Sequence, residues 1–174
     1  LPLKQYSTGQ EPEGIADYFL VQVRHETEKI LENIRLTGGK EWDAGKDGLT
    51  IVTTLNLSLQ KYALKAFHDH LSVMQNRLDE QYRSPSGKGL FKEITERELI
   101  RKGLKARSGD ITYLEIFDWN GSYTDSITVA DSLANALKLL HAGLLALDPS
   151  NGAVRSWVGG IDFRTQPYDQ VLAR

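Results

Sequence analysis

"AGLLALDPSNGAVRSWVGGIDF", residues 142–163, is the stretch whose reading decides the fold. Leu144, Leu145, Ala146 and Leu147 are apolar at consecutive positions, the pattern of a strand covered on both faces. Asp148-Pro-Ser-Asn-Gly152 is turn chemistry, because proline presets φ and Asn-Gly accepts positive φ. Ala153 to Val158 returns as a second strand. Gly159-Gly160 ends it and lets another backbone come close. The stretch reads as a β-hairpin.

Upstream of the hairpin, Asp131 or Ser132 is a candidate cap for a helix through Leu140. Before that, "ITYLEIFDWNGSYTDSITV" reads as two short strands, Ile111 to Trp119 and Ser126 to Val129, with Asn120-Gly121 as the turn. Phe91 to Lys105 reads as a charged helix, and "SPSGKG", Ser84 to Gly89, as a loop. Residues 83–130 thus form a small α+β piece, too small to bury much apolar surface unaided.

A long helix is expected from Leu57 to Tyr82, capped by Asn56. Its apolar face is Leu59, Tyr62, Ala63, Ala66, Phe67, His70, Leu71, Met74 and Leu78, with His70 bordering the core. "DGLTIVTTLN", Asp47 to Asn56, reads as a strand. Ile15 to Arg35 reads as an amphipathic helix stopped by "TGGK", with Trp42 in the polar loop beyond. The pattern sums to an α+β fold, helices packed on a partial antiparallel sheet. Four segments follow: an arm at 1–14, a helix–strand–helix run at 15–82, the inserted module at 83–130, and a closing helix and hairpin at 131–174.

Composition narrows the function classes. A net charge of -2 and a pI near 6.1 give no general field for nucleic acid or an anionic membrane. With no cysteine there is no disulfide, thiolate metal site or cysteine nucleophile. No apolar run approaches the roughly 20 residues that span a bilayer. The first residue is Leu rather than Met, which reads as a processed chain or a piece of a longer one.

Individual motifs carry little chemistry. Ser58-Leu-Gln-Lys61 has the Ser-x-x-Lys spacing of penicillin-interacting serine enzymes, but neither a Ser-x-Asn nor a Lys-Thr-Gly partner occurs. The plainer reading is a serine in a first helical turn with Lys61 in water. His68 and His70, two apart on a helix, point to different sides and do not form a metal pair. Asp118-Trp119-Asn120-Gly121 lacks the ladder and glutamate of a calcium loop. Asn56-Leu-Ser58 and Asn120-Gly-Ser122 match glycosylation sequons, which matter only in a glycosylating pathway. Gly38-Gly39-Lys40 and Gly87-Lys88-Gly89 lack phosphate-loop spacing. Glu26, Glu28 and Glu32, beside Arg24, Lys29 and Arg35, read as a solvated face.

Two blocks together say more. "DGLTIVTTLNLSLQKYALKAF" resembles the "GLTVxTTLDxxLQxxAxxA" block of class A penicillin-binding proteins, and the hairpin stretch resembles their "AxVAxDPxTGxVxAxVGGxDF" block. The blocks stand in the family's order with an insert between them. "ADYFLVQVRHETEKIL" also resembles the helix that precedes the first block. Asn56-Leu57 departs from the family's Asp-Pro, and "YDQV" at Tyr168 to Val171 departs from its commoner "FNRA".

The resemblance implies a fragment of a bifunctional peptidoglycan synthase, spanning the linker and the N-terminal part of an incomplete transpeptidase domain. The parent's glycosyltransferase motifs would precede Leu1, and its Ser-x-x-Lys nucleophile would follow Arg174. No catalytic, cofactor or metal residue is then expected within 1–174. Stem peptides and β-lactams are partners implied for the parent alone. The parent is implied to lie at the extracytoplasmic face of the bacterial inner membrane, anchored by a transmembrane helix outside this chain. The hairpin would be scaffold, with an edge or face of Ala153 to Val158 left uncovered, and an open edge there would invite pairing with another chain. The alternative is a stand-alone envelope binding or scaffold module that docks a protein through 83–130, with Tyr113, Phe117, Trp119 and Tyr123 either in contact with the partner or forming the module's own core.

Overall fold

A computed structural model describes residues 14–172. The arm read at 1–14 lies outside them except for Gly14. The fold is mixed α+β, with four α-helices and two antiparallel two-stranded sheets among the described residues. The elements are α1 (Asp17–Leu36), α2 (Leu57–Arg83), α3 (Pro85–Arg101), β1 (Ile111–Ile116), β2 (Tyr123–Thr128), α4 (Val129–Lys138), β3 (Leu144–Leu147) and β4 (Val154–Val158). The chain divides into two compact units. One holds the described residues up to Leu64 and those from Ala142 onward; the other is Lys65–His141. The second unit contains the whole of 83–130.

In the first unit the closing stretch forms the expected hairpin. β3 and β4 pair antiparallel with Leu145 opposite Trp157 and a bulge after Ala146. Asp148 organises the turn: its Oδ1 accepts from the backbone N and hydroxyl of Ser150, at 3.0 and 2.6 Å. Gly152 takes the positive φ of 72° that the turn requires. β3 is not covered on both faces. Its exposure alternates, with Leu145 and Leu147 open to solvent, so it is a half-buried strand.

The segment read as a strand at 47–56 is extended but joins no sheet. It touches β4 mainly at its end, where Asn56 N donates to Arg155 O (2.9 Å) and Thr54 Oγ1 donates to Val154 O (2.8 Å). One backbone bond does not make a ladder, and Val52 is 91% exposed. α1 spans nearly the expected residues. Gly38, at φ 85°, stops it, as Gly38 N and Gly39 N donate to Arg35 O and Ile34 O. Ala16, Tyr18 and Phe19 carry its burial, whereas Ile30, Ile34 and Leu36 are exposed.

α2 runs through both units. Asn56 caps it, its Oδ1 accepting from Leu59 N at 2.9 Å. The buried stripe is not the one read from the sequence. Tyr62, Ala66, His70 and Met74 face solvent, while Gln60, Ala63 and Gln75 are buried and Leu64, Phe67, Leu71 and Leu78 half-buried. Two buried amides rotate the packed face away from the most apolar one.

In the second unit, Ser84 to Gly89 is not a loop. Ser84 caps α3 by accepting from Gly87 N at 3.1 Å, and Pro85 occupies the first turn, where its missing N–H costs nothing. A Cβ on Gly87 would collide with Gln81 O and Ser84 Oγ, so this glycine serves a tight helix-to-helix corner. α3 ends at Arg101, and a separate 3₁₀ turn covers Lys105–Arg107. β1 begins at Ile111 as read but ends at Ile116 rather than Trp119, and β2 spans Tyr123–Thr128, beginning before the Ser126 read from the sequence. Asp118 Oδ1 accepts from Asn120 N, and Gly121 N donates to Asp118 O, which gives Asp118 to Gly121 to the turn. The cap of α4 is Thr128, not Asp131 or Ser132: its Oγ1 accepts from Asp131 N (3.0 Å) and donates to the Asp131 carboxylate (2.7 Å). α4 and α3 pack together, with α4 also against β2.

Candidate functional site

The most densely bonded group of the first unit lies beneath the hairpin. Gln60, one turn into α2, is 1% exposed, and both ends of its amide are fully used. Its Oε1 accepts from Ser156 Oγ and Trp157 N, each at 2.8 Å. Its Nε2 donates to Ile15 O and Trp157 O, each at 2.9 Å. An amide offers two donors and two acceptor lone pairs, so all four are satisfied. By gripping both Trp157 N and Trp157 O, the side chain acts as a neighbouring strand would. Asn56 N adds a bond to Arg155 O on the same edge. The outer edge of β4 is therefore closed by the start of α2, contrary to the open edge expected there. Among the described residues no strand pairs with the other edge of this sheet, that of β3.

The second half of the site is the Gly159-Gly160 pair. A backbone does come close, that of Gln170 at Gly159, and so does the ring of Tyr18. A Cβ on Gly159 would lie 2.5 Å from Tyr18 Cγ and 2.6 Å from Asp169 Oδ1, and one on Gly160 would strike the phenol oxygen. Tyr18 OH donates to Gln166 O at 2.5 Å, and its ring meets Phe163 edge-on at 5.0 Å. Burial, reinforced by the charges of Asp162 and Asp169, pushes the Tyr18 phenol above its ordinary pKa, so it stays a neutral donor. Asp169 accepts from Trp157 Nε1 (2.9 Å) and Val171 N (2.9 Å), and Gln170 N donates to Gly159 O (2.6 Å). These bonds tie "YDQV" back onto the strand.

A cavity of about 180 Å³ opens beside these groups, walled chiefly by Asp17, Tyr18, Gln60, Trp157, Asp162 and Phe163. Its lining holds no Ser, Lys or His. The Tyr18 hydroxyl is committed to Gln166. What these bonds do is hold the hairpin against Tyr18 and the start of α2.

Comparisons with family models, curated proteins and solved structures return no match.

The remaining sequence candidates are not brought together. Ser58 and Lys61 lie exposed on the first turns of α2, and the Ser58 hydroxyl makes no hydrogen bond among the described residues. His70 is exposed rather than at the core border. His68 packs edge-on against Trp119 (5.5 Å), and its Nε2 lies 3.0 Å from Trp119 O, within the second unit. Among the described residues no group of three or more His, Asp or Glu is placed to hold a metal ion, and no helix is long and apolar enough to cross a membrane. Sequence reasoning missed Gln60 and Gln75. The signal was available: 60, 64, 67, 71, 75 and 78 repeat at helical spacing, and an amide that continues an apolar stripe is a candidate for burial.

Proposed function

We propose that the chain is the beginning of the transpeptidase domain of a class A penicillin-binding protein, and that its hairpin is scaffold rather than catalyst. One observation carries the reading. The two sequence blocks that resemble the family, far apart in sequence, meet in the fold: Gln60 of the first grips Ser156 and Trp157 of the second, beside bonds from Thr54 and Asn56 to Val154 and Arg155. A helix start that closes one edge of a hairpin suits the first strand pair of a larger antiparallel sheet, whose next strand would add to the edge of β3. In the complete enzyme a serine encoded beyond Arg174 attacks the penultimate D-Ala carbonyl of a stem peptide, breaking the D-Ala–D-Ala bond to form an acyl-enzyme and release the terminal D-Ala, and β-lactams acylate the same serine as their ring amide opens. Work at the extracytoplasmic face of the bacterial inner membrane follows from the same reading.

The test is labelling by a fluorescent penicillin. The 174-residue protein is expected to take no label, and the same protein extended along its own gene through a Ser-x-x-Lys is expected to take one equivalent. Label on Ser58, or none on an extended protein that carries that motif, overturns the proposal.

A further inference from the structure

The ribbon of the second unit has an edge that the family reading does not use. β1 and β2 pair antiparallel with Ile111 opposite Thr128 and Tyr113 opposite Ser126. Val129 N donates to Asp110 O (2.9 Å), so Asp110 and Val129 stand as a hydrogen-bonded pair. Pairs alternate along an antiparallel ladder, so the N–H and C=O of Thr112, Leu114 and Ile116 face β2 and those of Ile111, Tyr113 and Glu115 face outward. No backbone group among the described residues pairs with the outward groups of Ile111 or Tyr113. Their side chains are each 75% exposed. Phe117 and Trp119, by contrast, pack on each other at 5.1 Å, with His68 against Trp119. The aromatics of the module are thus divided between its own packing and the surface.

Charge narrows the occupant. From Asp110 to Thr128 the ribbon carries Asp110, Glu115, Asp118 and Asp125 and no Lys, Arg or His. Arg107 answers Asp110. Neither Asp118 nor Asp125 has a cation within salt-bridge reach among the described residues, and each accepts instead from a neighbouring backbone N–H. A second copy of this ribbon, itself without Lys, Arg or His, brings no cation to these carboxylates.

We propose that the outer edge of β1 is a strand-addition site for an extended, cationic segment of a different protein. Backbone bonds to Ile111 and Tyr113 hold the segment, apolar side chains cover Ile111 and Tyr113 on one face, and the alternate Lys or Arg side chains lie on the other, the face that carries Asp125. This stands whether or not the family reading does.

The test uses the full protein and a short synthetic peptide of alternating Lys and Val, with an Asp–Val peptide as control. Binding is read by fluorescence anisotropy, and amide protection by hydrogen exchange. The Lys–Val peptide is expected to bind, more weakly at higher salt, and to slow exchange at Ile111 and Tyr113. Tyr113→Pro removes an outward N–H without touching the ladder, and Tyr113→Lys keeps the backbone and adds a repelling charge. Each is expected to weaken binding roughly tenfold or more. Equal binding of the Asp–Val peptide, wild-type affinity in both variants, or protection of these amides in the free protein through self-association overturns the proposal.

Discussion

Two buried glutamines on one helix do the same physical task in the two units, with different thoroughness. Gln60 makes four hydrogen bonds and reaches Ile15, Ser156 and Trp157, residues remote in sequence. Gln75, 4% exposed, accepts from Leu140 N (2.9 Å) and donates to Lys138 O (3.0 Å) and to Asp79 Oδ1 (3.1 Å) on its own helix. Each amide satisfies one backbone N–H and at least one backbone carbonyl where no strand partner is present. The lesson is that a side-chain amide can replace a missing strand, and that its worth scales with how many buried groups it satisfies.

The largest effect is expected at Gln60. Gln60→Ala leaves Trp157 N and O, Ser156 Oγ and Ile15 O without their partner, and should cost about 3 kcal/mol or more in denaturant unfolding. Gly159→Ala tests the neighbouring contact. Its Cβ has no room beside Tyr18 and Asp169, so a loss of about 2 kcal/mol is expected. Gln75→Ala should be milder, about 1 to 2 kcal/mol, with lost amide protection at Leu140 rather than at Trp157. Losses of equal size at Gln60 and Gln75 would break the comparison.

The smallest effect is at the hairpin turn. Hydrogen bonds from the Ser150 hydroxyl, then from Arg155 and the Ser150 backbone, hold the Asp148 carboxyl down at about 2 against an ordinary 3.8. The fold favours the charged form, so the contribution is complete above the ordinary value and fades as pH falls through about 2. Acid unfolding of Asp148→Asn should lack this component between those values. An identical acid profile for the two proteins would remove Asp148 from the account of the turn.

Much of the architecture was legible from local chemistry. Asn56 as a cap, Asn120-Gly121 and Asp148 to Gly152 as turns, and Gly38 as a helix stop all act over a few residues, and the structure uses each as read. The errors lay where a distant group decides. Gly87 reads as a breaker because glycine disfavours helices, yet it is the close approach of Gln81 O that requires it. Ile, Val and Thr at 51–54 have strand propensity, but propensity without a partner leaves the segment extended and exposed. The packed face of α2 escapes a hydropathy reading because hydropathy ranks glutamine as surface, whereas a fully bonded amide is at home inside. Gly159-Gly160 correctly announced a close contact, but nothing local names Tyr18, far earlier in the sequence, as one of the groups that make it.

The exchange rate of the Trp157 backbone amide addresses the Gln60 clamp most directly. It should be slow in the wild-type protein and fast in Gln60→Ala, while the amide of Val158, whose strand partner is Leu144, stays slow in both. Rapid exchange at Trp157 in the wild-type protein, or slow exchange that persists without Gln60, would contradict it.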